Sequence, residues 1–206
     1  LNIGNPPFGA ESLMFQFKPE LKGLSIHNQF FLAGLDALRP NGLQIAVVSR
    51  YLLDAQDKST REKLAIKAEL IAAIRLPDTA FVENARTEVV TDIVILRRHT
   101  PSEEEAMREA FEAAKGPTRQ TGRRGEAAGS RLHALDKIPD WVETTEVRDP
   151  TGGEDIVVNN YFAKNRRMIL GELSRTGTMR QQSDVTVSLP KGTDLAEMLD
   201  GAIERL

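Results

Sequence analysis

Leu38-Arg39-Pro40-Asn41-Gly42-Leu43-Gln44-Ile45-Ala46-Val47-Val48-Ser49 joins a helix signal to a strand signal through a turn. Upstream, Phe30, Phe31, Leu35 and Leu38 recur at helical spacing, which predicts a helix over His27 to Leu38 with Ser25 as its cap and one apolar face. Pro40-Asn41-Gly42 stops it. The run from Gly42 to Ser49 is nearly continuous in apolar residues and predicts a buried strand. Helix, turn and buried strand make one unit of a doubly wound α/β fold.

The same alternation continues downstream. Ser59 to Lys67 or slightly beyond predicts a helix whose solvated face carries Lys58, Arg61, Glu62, Lys63, Lys67 and Glu69. Leu70 to Leu76 predicts a strand, ended by Pro77-Asp78. Phe81 follows in a loop that is polar from Glu83 to Glu88, and Val89 to Leu96 predicts the next strand. In the other direction, Leu1-Asn2-Ile3-Gly4 reads as the end of a strand running into Gly4-Asn5-Pro6-Pro7-Phe8-Gly9. In open α/β sheets, ligands sit outside the carboxyl ends of the strands.

That Asn-Pro-Pro-Phe loop has two readings. Two prolines can simply end a strand and start a turn. Alternatively, the loop holds an amino group. The lone pair of an exocyclic amine on adenine is conjugated into the ring, so the amine is a poor nucleophile. The Asn5 side-chain oxygen and the carbonyl of Pro6 can accept its two hydrogens and return density to nitrogen as it becomes tetrahedral. The Pro6-Pro7 pair stiffens this backbone, and Phe8 can stack on the base face. A base reached in this way must leave its duplex.

Asn5-Pro6-Pro7-Phe8 resembles the catalytic (Asp/Asn/Ser)-Pro-Pro-(Tyr/Phe) motif of the amino-methylating DNA methyltransferases, in the Asn form specific for adenine. Leu38-Arg39-Pro40-Asn41-Gly42 is similar to the turn that ends the helix after that loop in the family. Ile74 to Phe81 and Thr91 to Leu96 are similar to late motifs of type I and related modification subunits. The order of loop, helix, strand, helix, strand and hairpin also matches. The resemblance implies a partial Rossmann-like SAM methyltransferase fold, the second half of its sheet, over residues 1–98. It implies S-adenosylmethionine as cofactor, DNA as partner and Asn5, Pro6, Pro7 and Phe8 as catalytic residues. It makes Phe81 a candidate to stack on the extruded base, with a core position as the alternative.

In the family the cofactor is held by a glycine-rich turn after an upstream strand. No such turn precedes Asn5, so the chain reads as a fragment of a longer protein, with its cofactor-binding residues expected upstream and no activity expected of the piece alone. Two other readings stay open: an amino-group methyltransferase acting on RNA or protein, and a non-catalytic remnant or DNA-recognition module. Recognition site and biological role, whether in restriction-modification, phage defence or anti-restriction, are not readable.

Residues 99–135 predict a charged helix, capped by Thr100 or Ser102, followed by a linker. The linker carries Arg119, Arg123 and Arg124, which are candidates for DNA phosphate contact or a solvated face. Residues 136–206 predict a small α+β region, with a hairpin of two strands, Trp141 to Asp149 and Glu154 to Val158, around Pro150-Thr151-Gly152-Gly153 and a cap at Asn159 or Asn160. A strand over Val185 to Leu189 and a final helix capped by Asp194 complete it. Tyr161 to Gly171 is similar to a segment of large helicase–methylase fusions, with Arg166 where a proline is common, so a helicase or specificity domain is an implied partner.

Composition sets the remaining bounds. The 206 residues carry a formal charge of −3, without the basic surplus of a self-sufficient nucleic-acid binder. No apolar run approaches the roughly 18 residues of a membrane span. With no cysteine, disulfides and thiolate sites are excluded, which fits a reducing cytoplasm. His27, His99 and His133 are too scattered to suggest a metal site.

Overall fold

The first strand and the second run parallel, and the rest of the sheet is built on that pair. In the computed structural model, which describes residues 1–7, 21–81, 89–115, 132–176 and 184–206, β1 (Asn2–Gly4) pairs with β2 (Leu43–Ser49). Asn2 lies opposite Gln44 and Gly4 opposite Ala46. α1 (Ile26–Ala37) forms the crossover between them, as parallel pairing requires. α2 (Tyr51–Asp54) and α3 (Ser59–Lys67) lead on to β3 (Ala68–Leu76). β4 (Thr91–Arg98) then returns antiparallel and inserts between β2 and β3, giving the order β1-β2-β4-β3. Since β2 and β3 both oppose β4, they run the same way, and their carboxyl ends share an edge with that of β1. The protein is therefore mixed α/β with a mixed four-stranded sheet.

Local chemistry explains the boundaries. α1 starts at Ser25, whose carbonyl accepts from Gln29 N (3.0 Å). The turn that ends α1 places Asn41 in the left-handed region (φ 62°), and its N–H donates to Arg98 O (2.9 Å), tying the turn to the end of β4. A side chain at Gly42 would meet Arg39 O at 2.9 Å, so the turn needs glycine there. α3 begins where Asp57 Oδ1 accepts from Ser59 N (2.9 Å). α4 (Pro101–Lys115) opens on a capping box: Thr100 Oγ1 accepts from Glu103 N (3.3 Å), and Glu103 Oε2 accepts from Thr100 N (2.8 Å).

α1 and α3 lie together on one face of the sheet, joined by the Lys67–Asp36 ion pair (2.6 Å) and an Asn28–Thr60 hydrogen bond (3.4 Å). Along β2 the alternate residues Gln44, Ala46 and Val48 are buried beneath α1, whereas Ile45, Val47 and Ser49 are half-buried on the other side. Phe31, Leu32 and Leu35 supply the apolar stripe of α1. Phe30 departs from expectation: it is 43% exposed, one position off the stripe. Arg61 departs the other way. It is 1% exposed, because Nε donates to Val142 O and NH1 to Ala55 O, each at 2.7 Å.

The chain beyond α4 closes over the far end of the sheet. Trp141 is buried in a 3₁₀ turn, Asp140–Val142, where the sequence pattern predicts strand. A hairpin, β5 (Thr144–Val147) and β6 (Ile156–Asn159), leads to α5 (Asn160–Lys164). Asn159 Oδ1 caps α5 by accepting from Tyr161 N (3.0 Å). β7 (Glu172–Thr176) and β8 (Asp184–Ser188) form a second hairpin, and α6 (Leu195–Ile203) is capped by Asp194. Leu170 N donates to Arg75 O (2.9 Å) and Asp78 N to Val187 O (3.0 Å), so backbone bonds join this region to β3 and its following turn. One apolar cluster runs from Leu32, Leu64 and Leu96 through Trp141 and Phe162 to Val187 and Ala202. Among the described residues, no helix is long and apolar enough to cross a membrane.

Candidate functional site

Asn5 leaves the sheet at the carboxyl end of β1, one residue past the Gly4–Ala46 pair. Asn5 and Pro7 are exposed and Pro6 is half-buried. With no N–H on either proline, this stretch cannot join a ladder, and it turns away from the strand instead. Asn5, Pro6 and Pro7 form one wall of an open cleft of about 270 Å³. Phe30 and Phe31 of α1 and Gln44, Ile45 and Ala46 of β2 complete the lining.

A buried amide fixes this wall to the helix. Gln44 is 2% exposed; its Nε2 donates to Phe31 O (2.9 Å) and its Oε1 accepts from Asn2 Nδ2 (3.1 Å). One side chain thus satisfies α1 and β1 together, three residues before Asn5. Gly34 makes room for it: a Cβ there would lie 2.5 Å from Gln44 Oε1 and 2.6 Å from Asn2 Nδ2.

A second cluster underlies the carboxyl ends of the other strands. Arg75 is fully buried, with Nε and NH2 on the two oxygens of Asp92 (2.8 and 2.9 Å) and NH1 on Asp54 Oδ2 (2.8 Å). Its guanidinium lies 4.2 Å from the Phe162 ring centroid, a cation–π contact. Burial opposes the charge on Arg75, but Asp92 and then Asp54 outweigh it and raise its pKa. Burial pushes the Asp92 carboxyl above its ordinary range, with Arg75 opposing. Asn159 completes the cluster: its N–H donates to Asp54 Oδ1 (2.9 Å), and Nδ2 donates to Leu53 O (2.9 Å) and Trp141 O (2.8 Å). These groups are buried, and the arrangement ties α2, β3, β4 and the segment at Asn159 together.

The candidates drawn from sequence are distributed unevenly. Asn5, Pro6 and Pro7 come together in the cleft. Phe8, Arg119, Arg123 and Arg124 lie outside the described residues. Phe81 is half-buried and packs on the core, just past a turn in which Ala80 N donates to Pro77 O (3.1 Å). That turn follows β3, the opposite edge strand from β1. Sequence reasoning missed Gln44, Phe30 and Tyr51. Tyr51 is 53% exposed on the carboxyl edge, with Arg50 stacked 4.2 Å from its ring centroid and bonded to its hydroxyl (3.1 Å). For Gln44, a single amide in an otherwise apolar strand was the available signal.

Neither a metal nor the expected cofactor has a seat here. Among the described residues, no three His, Asp or Glu side chains come close enough to hold a metal. Among the described residues, no glycine-rich turn links a strand to a helix. These residues do not form a site for S-adenosylmethionine. A hollow of about 520 Å³ between α3, α4 and residues 135–143 is spanned by the Lys58–Glu143 ion pair and lies apart from the carboxyl edge.

No protein-family model matches the chain. Over 99 residues it is 33% identical to the "Defense against restriction protein B" of Escherichia phage P1. That stretch is 47% of this chain and 4% of the phage protein, so the chain spans a small fraction of its relative's length.

Proposed function

We propose that this chain is the amine-holding part of an S-adenosylmethionine-dependent DNA methyltransferase that modifies the exocyclic amino group of adenine. The observation that carries the reading is the seat of Asn5-Pro6-Pro7: exposed, at the carboxyl end of a parallel strand, and forming the wall of a cleft. The order of loop, helix, strand, helix, strand and antiparallel return supports a Rossmann-like origin for the sheet. A role beside restriction is part of the reading, and it is supported by the partial similarity to the phage protein alone.

The cofactor supplies an electrophilic methyl group, and its binding residues are sought outside those described. The chain's own contribution concerns the amine. Asn5 Oδ1 and the Pro6 carbonyl accept its two hydrogens, and Gln44 holds the strand that presents them. Acceptors fixed in this way act most strongly as charge develops on nitrogen.

The test uses the full gene product with labelled S-adenosylmethionine and unmethylated DNA, beside Asn5→Ala, followed by digestion to nucleosides. Label in methyladenosine that disappears in the variant supports both the reaction and the residue. Label that Asn5→Ala leaves unchanged removes Asn5 from the mechanism, and label found only in RNA or protein moves the substrate.

A further inference from the structure

Two aromatic side chains among the described residues are exposed, Phe30 and Tyr51, and both flank the strand pair that carries the Asn-Pro-Pro segment. Tyr51 already carries Arg50 on its ring. Phe30 lines the cleft itself, together with Pro6 and Pro7. Among the described residues, no ionisable side chain is in that lining. A phosphate or a charged amine would therefore find no counter-charge there, whereas a flat, neutral ring with polar edges would meet apolar walls and the amide of Asn5. At about 270 Å³ the cleft falls just below the roughly 300–1,000 Å³ of sites for drug-sized ligands, which suits one base rather than a whole nucleotide.

We propose that this cleft takes a single unpaired adenine base and that Phe30 is the aromatic wall against which it stacks. The inference rests on the methyltransferase reading and adds to it a residue that the motif does not contain. Strand order favours Phe30 over Phe81 for this place. Three interstrand steps of about 4.8 Å put roughly 14 Å between β1 and β3, and Phe81 follows β3 and packs on the core. Phe30 instead shares its cavity with Asn5 and leaves its ring open.

The test measures binding of the 206-residue chain to a labelled single-stranded oligothymidylate carrying one central adenine, by fluorescence anisotropy. Phe30→Ala is expected to weaken binding about tenfold, in line with the loss of one base–aromatic stack, while Phe30→Tyr retains it. Replacing the central adenine with an abasic site should abolish the difference between wild type and Phe30→Ala. Because Phe30 lies off the core stripe, an unchanged thermal melt is expected and separates lost stacking from lost fold. Equal affinity of Phe30→Ala and wild type, a difference that survives the abasic substitution, or no binding by the wild-type chain would each overturn the proposal. If base-dependent binding through Phe30 persists while the full gene product transfers no methyl group, the reaction is wrong and the stacking role stands. If methyl transfer needs Asn5 and base binding ignores Phe30, only the stacking role falls.

Discussion

Arg75 and Asp92 are directly opposed residues of β3 and β4, and their side chains close a two-point ion pair at 2.8 and 2.9 Å, completely shielded from water. Asp54 takes the remaining guanidinium nitrogen, and Phe162 covers its face. The cluster joins three parts of the chain: the sheet, the short helix α2 after β2, and the segment following β6. The candidate cleft sits on β1 and β2, so the cluster supports the opposite half of the same edge.

Arg75→Met should therefore be costly. It leaves buried Asp92 without its cation and Asp54 with only Arg50, 3.7 Å away, a loss of about 3–5 kcal/mol. Urea unfolding followed by Trp141, the single tryptophan, measures it. A loss below about 1 kcal/mol would mean that the carboxylates are readily satisfied otherwise.

Gly34 and Gln44 offer a test at the site. Gly34→Ala gains about 1 kcal/mol of helix propensity in isolation. Here the new methyl would press on Gln44 Oε1 and Asn2 Nδ2, and Gln44 is held in place by Phe31 O. Overpacking of this kind costs about 1–3 kcal/mol, so net destabilisation is expected. With Gln44→Ala already in place the contact with Oε1 is gone and Asn2 Nδ2 loses the partner that holds it, so the same change should cost less. A double-mutant cycle on unfolding free energies gives the answer; additive effects would show that the two residues are not coupled.

What was legible in the sequence was periodic or punctuated. Pro40-Asn41-Gly42 and the apolar run after it located β2, and Ser59 to Lys67 marked α3. Asn159 and Asp194 acted as caps because side-chain capping is a local interaction. The failures belong to long-range partners. Arg61 reads as surface because helical spacing places it among lysines and glutamates, yet Val142, far along the chain, supplies a carbonyl that draws it inside. Phe30 reads as core because it neighbours Phe31, and only the docking of α1 on β2 decides which of the two faces inward. Arg75 and Asp92 each interrupt an apolar strand with a charge. Burial of either demands a partner, but their register cannot be read before the hairpin is formed.

A pH prediction follows from His27, near the start of α1. It is 8% exposed, and burial lowers its pKa below the ordinary value near 6.5. The unfolded chain then takes up a proton at a pH where the folded chain does not. Stability should be fully present above about 6.5 and should fall as pH drops from there toward the lowered folded value. Urea midpoints from pH 8 to pH 5 should show this decline, and His27→Gln should flatten it. An unchanged decline in the variant would assign the effect to other groups.

Asn159 ties the chain beyond α4 to α2, beside the backbone bonds that join that region to β3. It is fully buried, and its side chain donates to Leu53 O and Trp141 O while accepting from Tyr161 N. These are three backbone groups from three separate segments, and no other side chain of similar size presents two donors and an acceptor in that arrangement. Asn159→Leu keeps the branched outline and removes every one of those bonds, leaving buried carbonyls and an N–H unmatched. Each unmatched group costs about 1–3 kcal/mol, less whatever relaxation admits water. A loss of about 2–4 kcal/mol in urea unfolding is expected, with the emission of Trp141 shifting red at lower urea because its own carbonyl is among the groups released. Asn159→Asp is the sharper variant. It keeps the acceptor for Tyr161 N but removes both donors and sets a second carboxylate beside Asp54, so it should destabilise at least as much as leucine at neutral pH and recover in acid. If aspartate is instead tolerated at neutral pH, the two carbonyls are not held by this side chain, and the attachment of residues 141–170 rests on apolar packing and on its other bonds, among them Arg61 to Val142 O and Leu170 N to Arg75 O.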